Sequence, residues 1–544
     1  MRPKGRRFDR EELLHFDVRI RPSTGGPTTL RCEDQDSGGG PACVRSPTAR
    51  CPAGGCPGVG TRCTVADPLL PERPMFKAPD SDGAASAAES VDCRPLITSL
   101  SDVGLLSKER GRALTDKLNR FFEAVRAPSK KTDEAFWTDF QQEFGFATVA
   151  PSERVTPMNA ANLCPEPTAL IESLNELRLE YNLNVSQQMR TVQGERVLQL
   201  ERTRKSLAFG LGLSDPTDLA IVRNATEANN AINCGFRGWS ADGNDTVVMW
   251  AENHPTNREA WKMRAEWPGG PTPFKVEEVS FPTNAPEADI ATAFINRITE
   301  RTRFVTYTET ANSNGFRMPE SVMRAIWAHV KTNRPNCHVH IDGTMAWGAR
   351  PLDLANAYCH SLVSSAHKWF LGPKETGILF MRKEKARNFM PSIFGYDYRI
   401  VIVPYRELPE NALRFELIGQ RDDVNIIALD LTQKMWTALQ PRRPYERIAQ
   451  LAQHLMSRLQ QTGSRWKLVT PSDPARSWGV VRVEAPKEHR EKTLYDWLYE
   501  DPRYHIAGSG DDKTFRLCPH IYNTIADVDR AVDGMNAWYD DKRL

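Results

Sequence analysis

An α/β fold built on a mostly parallel sheet is predicted for this chain from three observations. Short runs that are apolar throughout (LAIVRN, DTVVMWAE, TRFVTYTE, NCHVHID and GILFMR) recur through its middle. Stretches with apolar residues at helical spacing lie between them, and strands apolar on both faces with helices between imply a parallel sheet covered on both sides. Several apolar runs also end in polar residues with no evident structural purpose, and open α/β sheets bind ligands at the carboxyl ends of their strands.

At 544 residues the chain exceeds what one core supports; cores stop growing at roughly 250–300 residues. Residues 1–92 contain GGGPACVRSPTARCPAGGCPGVG and little periodicity, and read as a disordered Gly/Pro/Cys-rich arm. Cys32, Cys43, Cys51, Cys56, Cys63 and Cys93 lack the paired C-x2-C spacing of a zinc site, so no metal is expected. Residues 93–154 are read as helical, from LITSLSDVGLLSKERGRALTDKLNRFFEAVRA and AFWTDFQQEFGF. Residues 155–430 form the expected large domain, with helices at ESLNELRLEYNL, QGERVLQLERTRKSLAFGL and SVMRAIWAHVKTNRP. Residues 431–544 read as a smaller α+β domain, with strands at SWGVVRVEA and TFRLCP and a closing helix at IADVDRAVDGMNAWYDD.

Composition excludes some function classes. Lys and Arg number 71 against 69 Asp and Glu, a net charge of +2 that suggests neither a nucleic-acid nor a membrane-surface partner. No run approaches the ~18 apolar residues of a membrane span. MRPKGRRFDREELL carries no apolar stretch behind its basic residues and does not read as a secretory signal, so a cytoplasmic location is expected.

Four strand ends carry the candidate chemistry. In HVHIDGTMAWG, Asp342 closes an apolar run; it either caps the next helix or pairs with a cationic ring nitrogen. Lys368, in SLVSSAHKWFLGPKETGILF, lies 26 residues later, which suggests about one helix and one strand between them. Flanked by Ser365 and His367, it is either a snorkelling surface lysine or a buried one whose depressed pKa makes it an imine-forming nucleophile. In AIVRNATEANNAI a strand runs into a helix whose N-terminus, with Ala225 and Thr226, offers donors to a phosphate, unless Thr226 is a plain N-cap. His254, in VVMWAENHPTNREAW, is placed either to lie flat on a planar cofactor or to be a satisfied polar residue.

The order RNATEA, ENHPTN, TANSNG, HIDG, SAHKW and FRLCPHIYNT resembles the class V aminotransferase family of cysteine desulfurases, selenocysteine lyases and isopenicillin-N epimerase-like proteins. The resemblance runs from about Met158 to the C-terminus. It implies the fold type I architecture with a seven-stranded sheet, pyridoxal 5'-phosphate (PLP) as cofactor, an amino-acid substrate and a homodimer. By resemblance Lys368 forms the Schiff base, Asp342 pairs with the pyridinium nitrogen and His254 stacks on the ring. Ala225, Thr226, Ser365 and His367 hold the phosphate, Asn312 bonds the ring hydroxyl or the substrate, and Arg516 clamps the substrate carboxylate.

Three departures from the family pattern stand out. Met345 replaces a usual Gln or His and cannot donate a hydrogen bond. Gln420, in FELIGQRDD, stands where relatives carry Thr of a Gly-Thr pair. YEDPRYHIAGSGDDKTF has no cysteine where desulfurases keep their nucleophile, and Cys518 comes after Arg516 within an expected strand. The expected activity is therefore epimerase- or aminotransferase-like tailoring at the α-carbon of an amino acid or modified peptide side chain. The alternatives are a cysteine or selenocysteine C–S/C–Se lyase without a protein sulfur acceptor, and a non-catalytic scaffold of the same fold.

Overall fold

The computed structural model describes residues 91–102, 105–126, 133–183, 185, 195–266, 274–394, 408–416, 418–419, 421–440, 442–463, 465–484, 492–511 and 513–541. The arm expected over 1–92 falls outside these residues but for its last two, and Gln420 lies outside them as well.

Three helices lead into the body: α1 (Arg94–Asp102), α2 (Lys108–Val125) and α3 (Asp133–Gln141). In α2 the buried Leu114, Leu118, Phe121, Phe122 and Val125 fall on one stripe, as their helical spacing dictates. Ser107 starts it by accepting from the Arg110 N–H at 3.2 Å. Next come α4 (Thr168–Leu183) and α5 (Glu195–Gly210).

The sheet then forms from β1 (Leu219–Val222), β2 (Asp245–Trp250), β3 (Phe274–Val279), β4 (Thr302–Thr308), β5 (His338–Asp342), β6 (Ser361–Ser365) and β7 (Gly377–Met381). Its order is β1-β7-β6-β5-β4-β2-β3. All pairings are parallel except those of β7, which runs antiparallel to both β1 and β6. Every residue of β1, β5, β6 and β7 is buried, the pattern of a sheet covered on both faces. The helices between strands are α6 (Ala225–Gly235), α7 (Pro255–Glu266), α8 (Glu287–Ile295) and α9 (Glu320–Asn333).

The five strands read from apolar runs are all present. Of the other two, β6 is the strand expected between Asp342 and Lys368, and the edge strand β3 is not read, because FKVEEV exposes half its residues and its polar face hides the period. The helix expected between Asp342 and Lys368 is absent; turns fill residues 343–360, where Gly343, Gly348 and Pro351 break helical continuity.

Beyond the sheet, α10 (Asp423–Ala438) runs unbroken across residues 430 and 431, and α11 (Arg443–Gln461) comes after it. A three-stranded antiparallel sheet has the order β9-β10-β8, from β8 (Val481–Glu484), β9 (Ser509–Gly510) and β10 (Thr514–Leu517). Helices α12 (Leu494–Glu500) and α13 (Ile525–Asp540) complete it. Thr524 and Asp527 start α13 with a reciprocal capping box. Pairing of Thr156–Pro157 with Ile506–Ala507, and a bridge from Asn159 to Cys518, tie this layer to the segment entering the main sheet. None of the described helices is long and apolar enough to cross a membrane.

Candidate active site

A cavity of about 210 Å³ opens at the carboxyl ends of the central strands. Asp342 closes β5 and Ser365 closes β6, with Lys368 three residues further on; all three line the cavity. The turn after Asp342 must pass close to the segment bearing Lys368. Gly348 makes this feasible: its φ is +83°, and a Cβ there would lie 2.3 Å from the Trp369 carbonyl carbon. Leu371, at φ 61°, holds a left-handed conformation that costs a non-glycine residue energy, directly after the lysine segment.

Burial lowers the Lys368 amine to about 8, and the Arg516 charge pushes the same way against the opposing pull of Asp342. At pH 7 such an amine is unprotonated in about one molecule in ten, against roughly one in three thousand for an ordinary lysine. The two His side chains nearby are held neutral. His367 is lowered to about 4 by burial and by Lys368, and His254 is lowered by burial and by the same lysine. The Thr256 backbone N–H donates to His254 Nδ1 at 3.3 Å, so the neutral ring carries its proton on Nε2.

The N-terminus of α6 meets the cavity from the β1 side. Asn224 is its N-cap and accepts from the Glu227 N–H at 2.9 Å, so Thr226 is not the cap. Thr226 is exposed at the second helical position and lines the cavity with Ala225. The Ala225 N–H donates to Ser365 Oγ at 2.8 Å, locking the helix start to the end of β6. Gly377 permits this approach, since a Cβ there would sit 2.5 Å from the Ser364 carbonyl oxygen and 3.2 Å from Asn224 Cα.

Arg516, on β10, reaches the same region. It donates to Asn312 Oδ1 and, at 2.9 Å, to Asn159 Oδ1. Asn312 lines the cavity, and its side-chain oxygen Oδ1 is committed to the guanidinium. The loop bearing Asn312 is anchored from behind by Glu309, which pairs with the fully buried Arg350 and receives the Thr310 hydroxyl at 2.7 Å.

The eight residues predicted from sequence to surround a cofactor (Ala225, Thr226, His254, Asn312, Asp342, Ser365, His367 and Lys368) thus line one cavity, with Arg516 joined to it through Asn312. Met345 also lines it; its thioether accepts from the buried Trp369 indole at 3.4 Å, a contact a thioether can make. Sequence reasoning missed Asn159, Thr308, Thr310 and Thr344, whose residue types carry no spacing signal. It also missed Asn229, which donates to Asp342 Oδ2 at 3.1 Å from inside α6. Cys518 is fully buried with its thiol pushed up by burial, and none of the described cysteines lines the cavity. A thiol buried and raised in this way is an inert one.

The donor set suits a doubly anionic, planar ligand. Lys368 and His254 lie within reach of the Asp342 carboxylate, His367 lines the same cavity, and Arg516 is joined to it through Asn312. His367 Nδ1, Thr344 Oγ1 and Arg516 Nε are buried without a hydrogen-bond partner among the described residues, as expected where a polar ligand supplies the missing contacts. The sheet covered on both faces, with a lysine and a carboxylate meeting at its strand ends, defines a fold type I PLP-dependent enzyme. Residues 159–501 match the family described as aminotransferase class-V, and the chain belongs to that family. It is similar to isopenicillin N epimerase from Amycolatopsis lactamdurans, 25% identical over 350 residues that cover 61% of this chain and 83% of the relative. A cysteine desulfurase from Pectobacterium atrosepticum is 23% identical over 395 residues, covering 70% and 91%. Among solved structures, the cystine C–S lyase C-DES in complex with cysteine persulfide superposes with a TM-score of 0.59 at 20% identity, over 71% of this chain and 98% of that one. The cysteine desulfurase from Thermococcus onnurineus NA1 gives 0.60 at 18%, over 74% and 97%.

Proposed function

We propose that this enzyme acts at the α-carbon of an amino acid or a modified peptide side chain, with epimerase- or aminotransferase-like chemistry. The observation that carries the reading is one cavity lined by both Lys368 and Asp342, with Arg516 held at its edge. PLP, when bound, serves as an electron sink for charge developing at the substrate carbon. Every further task falls to side chains of this chain. Lys368 holds the cofactor and, once released, removes and returns the α-proton at Nζ; an amine with a pKa of about 8 is suited to both directions. Asp342 would accept from the ring nitrogen. The α6 N-terminus, Thr226, Ser365 and His367 would hold the phosphate, and His254 would cover one ring face. Arg516 orients the substrate carboxylate through its planar fork. A homodimer and a cytoplasmic setting accompany this reading.

The absence of a cysteine among the described residues lining the cavity supports tailoring over sulfur relay. A screen of amino acids against the yellow holoenzyme, following its visible band and identifying products, tests the reading. Racemised or deaminated product supports it; sulfide and pyruvate from cysteine with no other turnover overturns it in favour of a lyase. A colourless protein that ignores added PLP overturns both.

Arg516→Ala is expected to raise KM about 10- to 150-fold, the loss of ~1.5–3 kcal/mol from hydrogen bonds to a charged group, with a smaller change in kcat. An unchanged KM removes Arg516 from substrate recognition. The depressed Lys368 pKa gives a second expectation. Capture of PLP by the apoprotein needs the free amine, so its rate constant is expected to rise about tenfold per pH unit up to about pH 8 and to level off above it. A profile still climbing at about pH 10, the range of an ordinary solvated lysine, contradicts the buried amine.

A further inference from the structure

Behind Asp342, on the side away from Lys368, runs a line of buried polar side chains that the proposed chemistry does not use. His338, His340 and Asp342 alternate along β5 and so share one face of the sheet. Ser361 opens β6 directly beside His340. Asn229 projects from the second turn of α6, the same helix whose start frames the phosphate end of the cavity. Asn229, His340, Ser361 and His338 are all 0% exposed, so bulk water cannot replace any missing contact.

The contacts are continuous. His338 Nε2 lies 2.7 Å from Ser361 Oγ, which lies 2.8 Å from His340 Nδ1. His340 Nε2 lies 3.0 Å from Asn229 Oδ1, and Asn229 Nδ2 donates to Asp342 Oδ2 at 3.1 Å. An ionised Asp342 fixes the direction of every link. The carboxylate only accepts, so the Asn229 amide must turn its NH2 to it and its oxygen to His340. His340 must then carry its proton on Nε2, leaving Nδ1 to accept from the Ser361 hydroxyl. Ser361 accepts in turn from His338 Nε2–H. This assignment leaves His338 Nδ1 without a proton, and Nδ1 is buried with no hydrogen-bond partner among the described residues. The His338 ring sits in an aromatic shell in which the Phe304 ring stacks at 4.9 Å and Phe389 meets it edge-on at 4.8 Å. Burial holds both imidazoles neutral, His340 at about 4 and His338 well below the usual range, as the one-proton-per-ring pattern requires.

We infer that Asn229, His340, Ser361 and His338 form a one-way hydrogen-bond column that positions Asp342 and holds it as an acceptor for the pyridine nitrogen of PLP. Each donor in the column points toward the carboxylate, so the bonds polarise one another in the same sense. The other Asp342 oxygen is fixed by the Thr344 N–H at 3.0 Å. The carboxylate is thus held on both oxygens, with lone pairs left for the cavity. Lys368 and His254 are the titratable groups that face it there; His340 is the one behind it. The four column residues are positioning residues acting through Asp342, and the inference rests on the cofactor reading above.

The test uses holoenzyme of His340→Phe, His340→Gln and Ser361→Ala. Three quantities are read: the PLP dissociation constant, the pH midpoint of the cofactor's visible band, and the thermal midpoint of the apoprotein. His340→Phe keeps a ring of similar size but breaks the column. It is expected to weaken PLP binding about tenfold or more and to move the band midpoint by about one pH unit, the scale of one lost buried hydrogen bond. His340→Gln, which retains a donor toward Asn229, is expected to recover most of both. Ser361→Ala removes a single oxygen, keeps the test decisive should His340→Phe fail to fold, and is expected to shift the midpoint in the same direction. A band midpoint and PLP affinity unchanged in Ser361→Ala and in folded His340→Phe overturn the column, whatever happens to thermal stability. If the unsubstituted protein takes up no PLP, the cofactor reading fails first, and the two failures are thereby distinguished.

Discussion

Lys368→Ala is expected to lower kcat by at least about 10³-fold, since both the covalent anchor and the proton-transferring amine are lost together. The expectation is specific because the remaining contacts are independent of that amine. The Ala225–Ser365 lock, the α6 N-terminus and Asp342 with its Asn229 and Thr344 contacts do not involve Lys368. PLP is therefore expected to remain bound to the variant, now removable by dialysis, and a substrate amine is expected to change its spectrum without turnover. Borohydride treatment should fix label to the unsubstituted protein at Lys368 and to the variant not at all. Substantial turnover in the variant, or label recovered at another lysine, dismantles the site assignment.

How much of the fold and site is legible in the sequence differs from residue to residue. Strands apolar on both faces are readable because burial on both sides removes the alternation that polar faces impose, as in the fully buried β1 and β7. β3 is hidden by its exposed edge face. The turns between Asp342 and Lys368 mimic a helix in length, since spacing alone does not tell a folded-back loop from a helix. Lys368, Asp342, His254 and the Ala225–Thr226 turn stand out because each sits where a strand ends. Asn229 does not, since a buried asparagine within a helix looks like any other helical polar residue until its partner is known. The His338–His340–Asp342 alternation is visible as HVHID, but period two in a strand announces a shared face and not which residues across the sheet complete it. That information lies in register: the pairing of His340 with Ser361 creates the column.

The loop that carries Asn312 depends on a buried charge pair, and this gives the second large expectation. Glu309, at the end of β4, is fully buried, as is Arg350 opposite it, and Arg317 approaches within 3.6 Å. Its backbone N–H donates to the Asp342 carbonyl at 2.9 Å, and its carbonyl accepts from the Met318 N–H at 2.8 Å. One residue thus ties the end of β5 to both arms of the Asn312 loop. Burial already lowers the Arg350 guanidinium to about 9, and Glu309 opposes that fall. Glu309→Leu leaves the buried guanidinium without its carboxylate, and the first unfolding transition is expected to lose about 3–5 kcal/mol. Adding Arg350→Met removes the more deeply buried of the two guanidinium groups that approach Glu309 and is expected to restore part of the loss, because a packed apolar pair of similar volume costs no desolvation. Denaturant unfolding of the two single variants and the double variant measures this directly. A double variant no more stable than Glu309→Leu alone means the loss came from packing around the loop and not from the charge. In the restored double variant, KM reports whether the loop still presents Asn312 to Arg516: a KM close to that of the unsubstituted enzyme assigns the pair to stability alone, and a raised KM makes it part of the geometry that recognises substrate.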